Sequence, residues 1–366
     1  MINLTLLWFI LLPLALAVGV WYFCGRGRDG AVVAGLYALA SVVVIASAFA
    51  ITHGVATADT EIWNGQVTAK ERVHGTYEQS YDCFCTTDSK GNRSCQTCYE
   101  THYTAKWTCD TTIGGYTIDS IDTTSRIRRD ATPNPQRWTI IQPGDPVSKR
   151  HSYTNYVQAV PQTLFRPVGA SLKARFAPLL PAYPDQVYDI YRNDKFLTPG
   201  YSTPDVAAWN AGLNELLKVR GPRKQVNAIV VIAKTDDANY AYALQDAWEG
   251  VNKNDVVLVI GSTQWPKIDF VSVLSWTKNE LFKVQLRDEV QALGSIQREK
   301  VLEILGRQID TQFERRHMSE FKYLSGEIDP PLWVLVLVGL LVAGGAPLAW
   351  FLYNRQFNSR RPYRRF

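Results

Sequence analysis

Three apolar runs interrupt an otherwise polar chain of 366 residues: Met1 to Gly25, Gly30 to Thr52 and Pro330 to Asn354. A bilayer-spanning helix needs roughly 20 apolar residues at about 1.5 Å rise each, and every run reaches that length. The pattern predicts transmembrane helices over 1–25, 30–52 and 330–354, and with them an integral membrane protein. A cleaved signal peptide is the alternative reading of the first run, but that run carries no basic n-region and a second span follows almost at once. Cleavage after the second run, beside Ala48-Phe-Ala50 or Ala56-Thr-Ala58, would leave a single span.

Between the spans the periodicity changes. From Asp59 to Phe165 short alternating stretches rich in Thr, Tyr, Ser and Val, such as Gln66 to Val73, Tyr103 to Cys109 and Tyr116 to Ile121, are punctuated by Gly75, Gly114-Gly115 and Pro133-Asn-Pro135. They predict a small all-β unit over 59–165, a sandwich or open barrel. Five prolines within the 24 residues from Pro161 to Pro184 predict an extended connector, 166–186. Over 187–328 strands and helices alternate. Thr203 as N-cap and Pro204 at the first helical position open a helix that Gly221-Pro222 closes after Val219. Val226 to Ala233, Asp255 to Gly261 and Ile268 to Leu274 read as strands, and Ala238 to Trp248, Lys278 to Leu293 and Ser295 to Tyr323 as helices. The last places Ile296, Val301, Leu305, Ile309 and Phe313 near one face. Unbroken apolar strands require a sheet covered on both sides, hence an α/β unit. The fold class is an α+β membrane protein: three transmembrane helices, a small all-β extracytoplasmic unit and an α/β unit.

Charge adds orientation. The formal net charge of +5 equals the five arginines of the tail 355–366, namely Arg355, Arg360, Arg361, Arg364 and Arg365, so the large middle region is close to neutral. That balance gives no nucleic-acid footprint. Arg26 and Arg28 sit between the first two runs, whereas Asp59, Glu61, Glu327 and Asp329 flank the middle region. The positive-inside rule then predicts the N-terminus outside, the middle region extracytoplasmic (periplasmic or extracellular) and the C-terminus cytoplasmic. These arginines suit anionic head groups at up to about 1 kcal/mol each, which makes the lipid bilayer the first partner. Gly339 and Gly344-Gly345 permit close helix approach and so a homo-oligomer.

Five cysteines fall in the middle region: Cys83, Cys85, Cys95, Cys98 and Cys109. In an oxidising compartment they predict disulfides stapling a hairpin, with Asp88-Ser-Lys-Gly-Asn as its turn and one thiol left over. The alternative is a structural zinc site at two close pairs, with His102 in reserve. Either role is structural.

No phosphate loop, G-x-S-x-G elbow or H-E-x-x-H occurs. His53, His74, His102, His151 and His317 are scattered. The remaining candidates are acids: Asp236-Asp237 at the carboxyl end of a strand, where α/β sheets bind ligands or where a helix is simply capped, and Glu280 with Asp288 on one helix, spaced to share a divalent cation. Here a resemblance enters. Val226-Asn-Ala-Ile-Val-Val-Ile, Tyr242 to Trp248 with Gly250, Lys253 to Ile260, Asn279-Glu-Leu and Leu286-Arg-Asp288 make residues 203–323 look like the TPM domain family, named for thylakoid and bacterial membrane-anchored proteins. The resemblance covers about a third of the chain. It implies acid-phosphatase or cation-binding activity, as in some members, or assembly and repair of membrane complexes, as in others. The chain departs from the family at Asp255, which replaces a glycine, and at Trp276-Thr-Lys-Asn279, which replaces a glycine-rich turn; both losses remove close backbone approach to a ligand. The whole chain, with Glu61 to Thr68 and Ser152 to Tyr156, is also similar to membrane proteins of unknown function from large tailed phages. The function expected is a non-catalytic, membrane-anchored binding or assembly module for an envelope or membrane protein. The alternative is a metal-dependent, acid-phosphatase-like hydrolase of the TPM type using Asp236, Asp237, Glu280 and Asp288.

Overall fold

The computed structural model describes residues 4–24, 26–114, 116–118, 136–160, 170–187, 193–202 and 205–358. In chain order the first elements are α1 (Leu4–Phe23), α2 (Arg28–Thr57), β1 (Ala58–Thr87), β2 (Arg93–Thr111), β3 (Tyr116–Ile118), α3 (Gln136–Ile140), β4 (Pro146–Thr154), α4 (Tyr156–Ala159) and α5 (Ala170–Phe176). There follow β5 (Phe196–Leu197), α6 (Val206–Lys224), β6 (Asn227–Ala233), α7 (Tyr240–Ala247), β7 (Asp255–Gly261) and β8 (Phe270–Ser275). The chain then runs through α8 (Glu280–Ala292), α9 (Arg298–Gln312), a 3-10 stretch at Met318–Glu327 and α10 (Leu332–Asn358). Two compact units result. One gathers Met1–Asp59, Ser152–Pro167 and His317–Phe366, the other Thr60–His151 and Val168–Arg316.

The first unit is built on apolar helices. Two, over Arg28–Thr57 and Leu332–Gln356, are long and apolar enough to cross a membrane, and Phe9–Phe23 within α1 is a shorter apolar stretch. Ile45 and Phe49 of α2 pack with Val334, Val338 and Val342 of α10, and Phe9, Ile10 and Leu16 of α1 lie against them. At the other end Val20 and Cys24 meet Ala34 and Tyr37. The α1–α2 turn closes tightly because Gly30 lacks a side chain: a Cβ there would stand 2.9 Å from the Cys24 carbonyl oxygen. The Tyr37 hydroxyl donates to the Val342 carbonyl at 2.8 Å, so this buried phenol is not left without a partner.

The second unit holds two sheets, with strand orders β3-β2-β1-β4 and β5-β6-β7-β8. In the latter β5, β6 and β7 run parallel and β8 is antiparallel to β7. Every position of β6 and β7 is buried, which is the two-sided cover expected of continuous apolar strands. Ala228, Val230, Ile232, Val256, Leu258 and Ile260 share one core with Trp209 and Leu213 of α6, Phe282 of α8 and Leu305 of α9. Asn64 of β1 joins the sheets: its side-chain amide donates to the Val226 carbonyl at 3.2 Å and to Asn227 Oδ1 at 3.1 Å. Gly221 of α6 allows that approach, since a Cβ there would stand 2.3 Å from the Asn64 carbonyl oxygen.

Four sequence expectations are corrected. The connector expected to be extended over 166–186 carries α5 and a 3-10 turn at Ala177–Leu179, because Phe176 is buried against Tyr240 of α7 and the prolines fall outside α5. The Thr- and Tyr-rich strands form no sandwich or barrel among the described residues, because alternation identifies a strand but not a second layer to cover it; most of β1 and β2 instead make a two-stranded ribbon. The helix expected to stop at Val219 continues to Lys224. Pro222 lies in its last turn, where the missing N–H removes a single bond, and Gln225 ends the helix in the left-handed region at φ 50°. The expected caps Thr203 and Pro204 lie outside the described residues. Finally, Ser295 to Tyr323 is not one helix. After Gln312 the chain extends, the Phe313 ring packs against Phe282 at 5.6 Å, and the Lys278 N–H donates to the Glu314 carbonyl at 2.9 Å. Burying Phe313 and pairing with 277–278 outweigh continued helix periodicity.

Candidate functional site

β1 and β2 pair from Val67 opposite Thr111 out to Thr87 opposite Arg93. Beyond Lys70 the outer edge of β1 meets no strand among the described residues, and β3 covers β2 only at Trp107, Thr108 and Cys109. The result is an arm some 50 Å long at about 3.3 Å per residue. From 78 to 101 all of its residues are exposed except the half-buried cysteines. A lone two-stranded ribbon is marginal in water, and two disulfides make up the deficit: Cys83–Cys98 and Cys85–Cys95 staple the end of the arm. The thiolates that a zinc ion would need are consumed in these bonds. Cys109 is the thiol left over. It is buried against Val67, Ile141 and Val147, and burial pushes its pKa up, so it is a packing residue rather than a reactive one.

The tip is ordered by its own side chains. Asp88 accepts from the Lys90 and Asn92 backbone N–H groups at 2.8 and 2.9 Å and from the Asn92 side chain at 3.0 Å, with Gly91 at φ 84° completing the turn. Between Cys83 and Thr86 the register shifts, and in this bulge Phe84 adopts φ 46° and is 81% exposed. A non-glycine residue there costs about 1–2 kcal/mol, so a strained, solvated phenylalanine persists only because the cysteines on either side of it are cross-braced. Tyr81 and Tyr99 nearby are also exposed.

The predicted acids do not converge on one ligand. Asp237 accepts from the backbone N–H of Asn239 at 2.9 Å, which holds its carboxyl below the usual range, and it pairs with Arg175 at 2.7 Å. It therefore serves the start of α7. Glu280 pairs with Lys283 and Asp288 with Arg287, each within its own helix turn on an exposed face. Asp236 precedes Asp237 in the same turn region. Among the described residues no group of three or more His, Cys, Asp or Glu side chains is arranged to hold a metal ion. Of the arginines, Arg26 lies over the Tyr22 ring at 4.0 Å, Arg28 opens α2 and Arg355 sits in the last turn of α10; Arg360, Arg361, Arg364 and Arg365 lie outside the described residues. His102 belongs to β2.

The polar residues that the sequence reading overlooked are internal. Glu61, expected as an acidic membrane flank, is fully buried. Nη2 of Arg315 donates to both of its oxygens at 2.6 and 2.9 Å, the Trp63 indole N–H donates at 2.7 Å, and Lys253 and His151 stand at 3.6 and 3.4 Å. Separately, Lys195 Nζ donates to Ser148 Oγ, the Asn193 carbonyl and Asn214 Oδ1 at 3.0 to 3.2 Å, which uses all three ammonium protons. Asp255 accepts from Tyr183, Asn227 and the Asn252 N–H, each at 2.9 Å by its shortest contact. Burial pushes Lys195 down to about 7 and Asp255 up to about 7. The available sequence signal was Asp255, a single acid opening the otherwise apolar strand β7.

No family model, curated protein or solved structure matches this chain. The geometry alone therefore assigns roles. The internal charges are engaged by partners within the fold and hold β1 against the α/β sheet, whereas the arm offers its side chains outward.

Proposed function

We propose that this protein is a membrane-anchored binding or assembly module that captures an envelope or membrane protein through the tip of its β1–β2 arm. The observation that carries the reading is Phe84: an apolar side chain, strained and exposed, braced by two disulfides at the far end of an otherwise polar ribbon. Strain maintained at an exposed apolar residue suits a contact made with something else. In this reading α1, α2 and α10 all span the bilayer, with the N-terminus outside and the arginine tail in the cytoplasm. Disulfides support an oxidising, extracytoplasmic location for the second unit. The α/β region from β5 to α9 is the TPM-like part, acting as scaffold rather than catalyst.

Capture from native membranes tests this. Protein tagged at its C-terminus should retain a stoichiometric partner, and Phe84→Ser should release it while leaving both disulfides and the thermal transition unchanged. Undiminished capture by Phe84→Ser would remove the arm tip from the proposal.

A further inference from the structure

The two disulfides of the arm are not equivalent. The ladder pairs Cys83 with Gln96 and next Thr86 with Ser94, so Phe84 and Cys85 on β1 together face the single residue Cys95 on β2. Cys85–Cys95 therefore lies inside the bulge, where the ladder is interrupted and a covalent bond holds the strands together instead. Cys83–Cys98 encloses it at a sequence separation of 15 and lies on the regular side, where the pairing runs on through Asp82 opposite Thr97 and Tyr81 opposite Cys98.

Their sulfurs also differ in charge environment. Nη2 of Arg93 donates to Cys85 Sγ at 3.3 Å. No cationic side chain donates to the sulfurs of Cys83, Cys95 or Cys98 among the described residues. Thiol–disulfide exchange expels one sulfur as a thiolate, which leaves faster the better its charge is stabilised, and a neighbouring guanidinium stabilises it. Arg93 thus marks Cys85 as the leaving group and Cys95 as the sulfur attacked. Access is open, since Phe84, Thr86, Ser94 and Gln96 on either side of the bond are all exposed.

We propose that Cys85–Cys95 is a thiol–disulfide exchange site, opened by a dithiol, and that its opening takes Phe84 out of the conformation that captures a partner. The second half rests on the capture reading above; the exchange itself does not. One thiolate of the dithiol bonds to Cys95 Sγ as the Cys85–Cys95 bond breaks, and Cys85 departs as a thiolate paired with Arg93. The second thiolate of the reductant then attacks its own sulfur in the mixed disulfide and displaces Cys95. Two electrons and two protons pass to Cys85 and Cys95, and the dithiol becomes a disulfide. Phe84 is then free to leave φ 46°, whereas Cys83–Cys98 keeps the ribbon behind it paired.

The test is timed reduction of the full chain in mild detergent by limiting dithiothreitol, quenched by alkylation and read by peptide mass spectrometry. Cys85 and Cys95 should be alkylated at least about fivefold ahead of Cys83 and Cys98. Arg93→Gln should slow that opening roughly threefold while Cys83 and Cys98 react at their former rate, and Arg93→Lys should restore it. Cys85→Ser with Cys95→Ser, which keeps Cys83–Cys98, should lose capture from native membranes as Phe84→Ser does. Equal rates at the two disulfides, or rates indifferent to Arg93→Gln, overturn the exchange site. Capture kept by the double serine variant but lost by Phe84→Ser overturns the switch and leaves the arm tip standing. Capture kept by both overturns the arm-tip reading and the switch with it.

Discussion

Lys195 and Asp255 never touch, yet they are the two ends of one buried chain of hydrogen bonds. Lys195 donates to Ser148, Ser148 to Asn64, Asn64 to Asn227 and Asn227 to Asp255, over distances of 2.8 to 3.1 Å. Three neutral side chains, drawn from β4, β1 and β6, thus link a buried amine to a buried carboxyl group. Any link removed strands a polar atom in the interior, at about 1–3 kcal/mol.

The same pair predicts a stability minimum near neutral pH. Between about pH 4 and 7 the folded protein keeps a proton on Asp255 that the unfolded chain has released, so stability falls as pH rises. Between about pH 7 and 10 the unfolded chain keeps a proton on Lys195 that the folded protein has released, so stability rises with pH. Urea midpoints of the full chain in micelles at pH 5, 7 and 9 measure both limbs. Asp255→Asn should flatten the acid limb and Lys195→Met the alkaline one; unchanged limbs in the variants would falsify the assignment.

Gly221→Ala sets helix propensity against packing. Propensity favours alanine by about 1 kcal/mol within α6. The Cβ would nevertheless meet the Asn64 backbone 2.3 Å away, so we expect net destabilisation of about 1–3 kcal/mol by chemical denaturation. A stabilised variant would mean that β1 gives way easily.

Reduction should act locally. With Cys83–Cys98 and Cys85–Cys95 opened, amide exchange over 78–101 should accelerate by more than tenfold while β6 and β7 keep their protection. Equal loss of protection throughout would show that the arm is part of the global core.

The three exposed acids should be dispensable. Asp236→Asn, Glu280→Gln and Asp288→Asn combined are expected to change stability by less than about 1 kcal/mol and to leave partner capture intact. Loss of capture in that variant would return the acids to the centre of the function.

Protease added to intact cells reads the topology. It should cut within the arm, at Lys90 or Arg93, and leave a C-terminal tag beyond the arginine tail untouched. The reverse pattern would invert the orientation.

The local elements were legible in the residues alone. Apolar length marked α2 and α10, continuous apolar runs marked β6 and β7, and Asp88 to Asn92 marked the turn, because each depends on a few neighbouring residues. Tertiary structure decided the rest. Local pattern leaves open whether β1 and β2 fold into a barrel or extend as an arm, while the break at Phe313 depends on Phe282 and the burial of Glu61 on Arg315, 31 and 254 positions away. Alternation specifies that a side chain faces one side of a strand. Only the packed chain specifies what waits there.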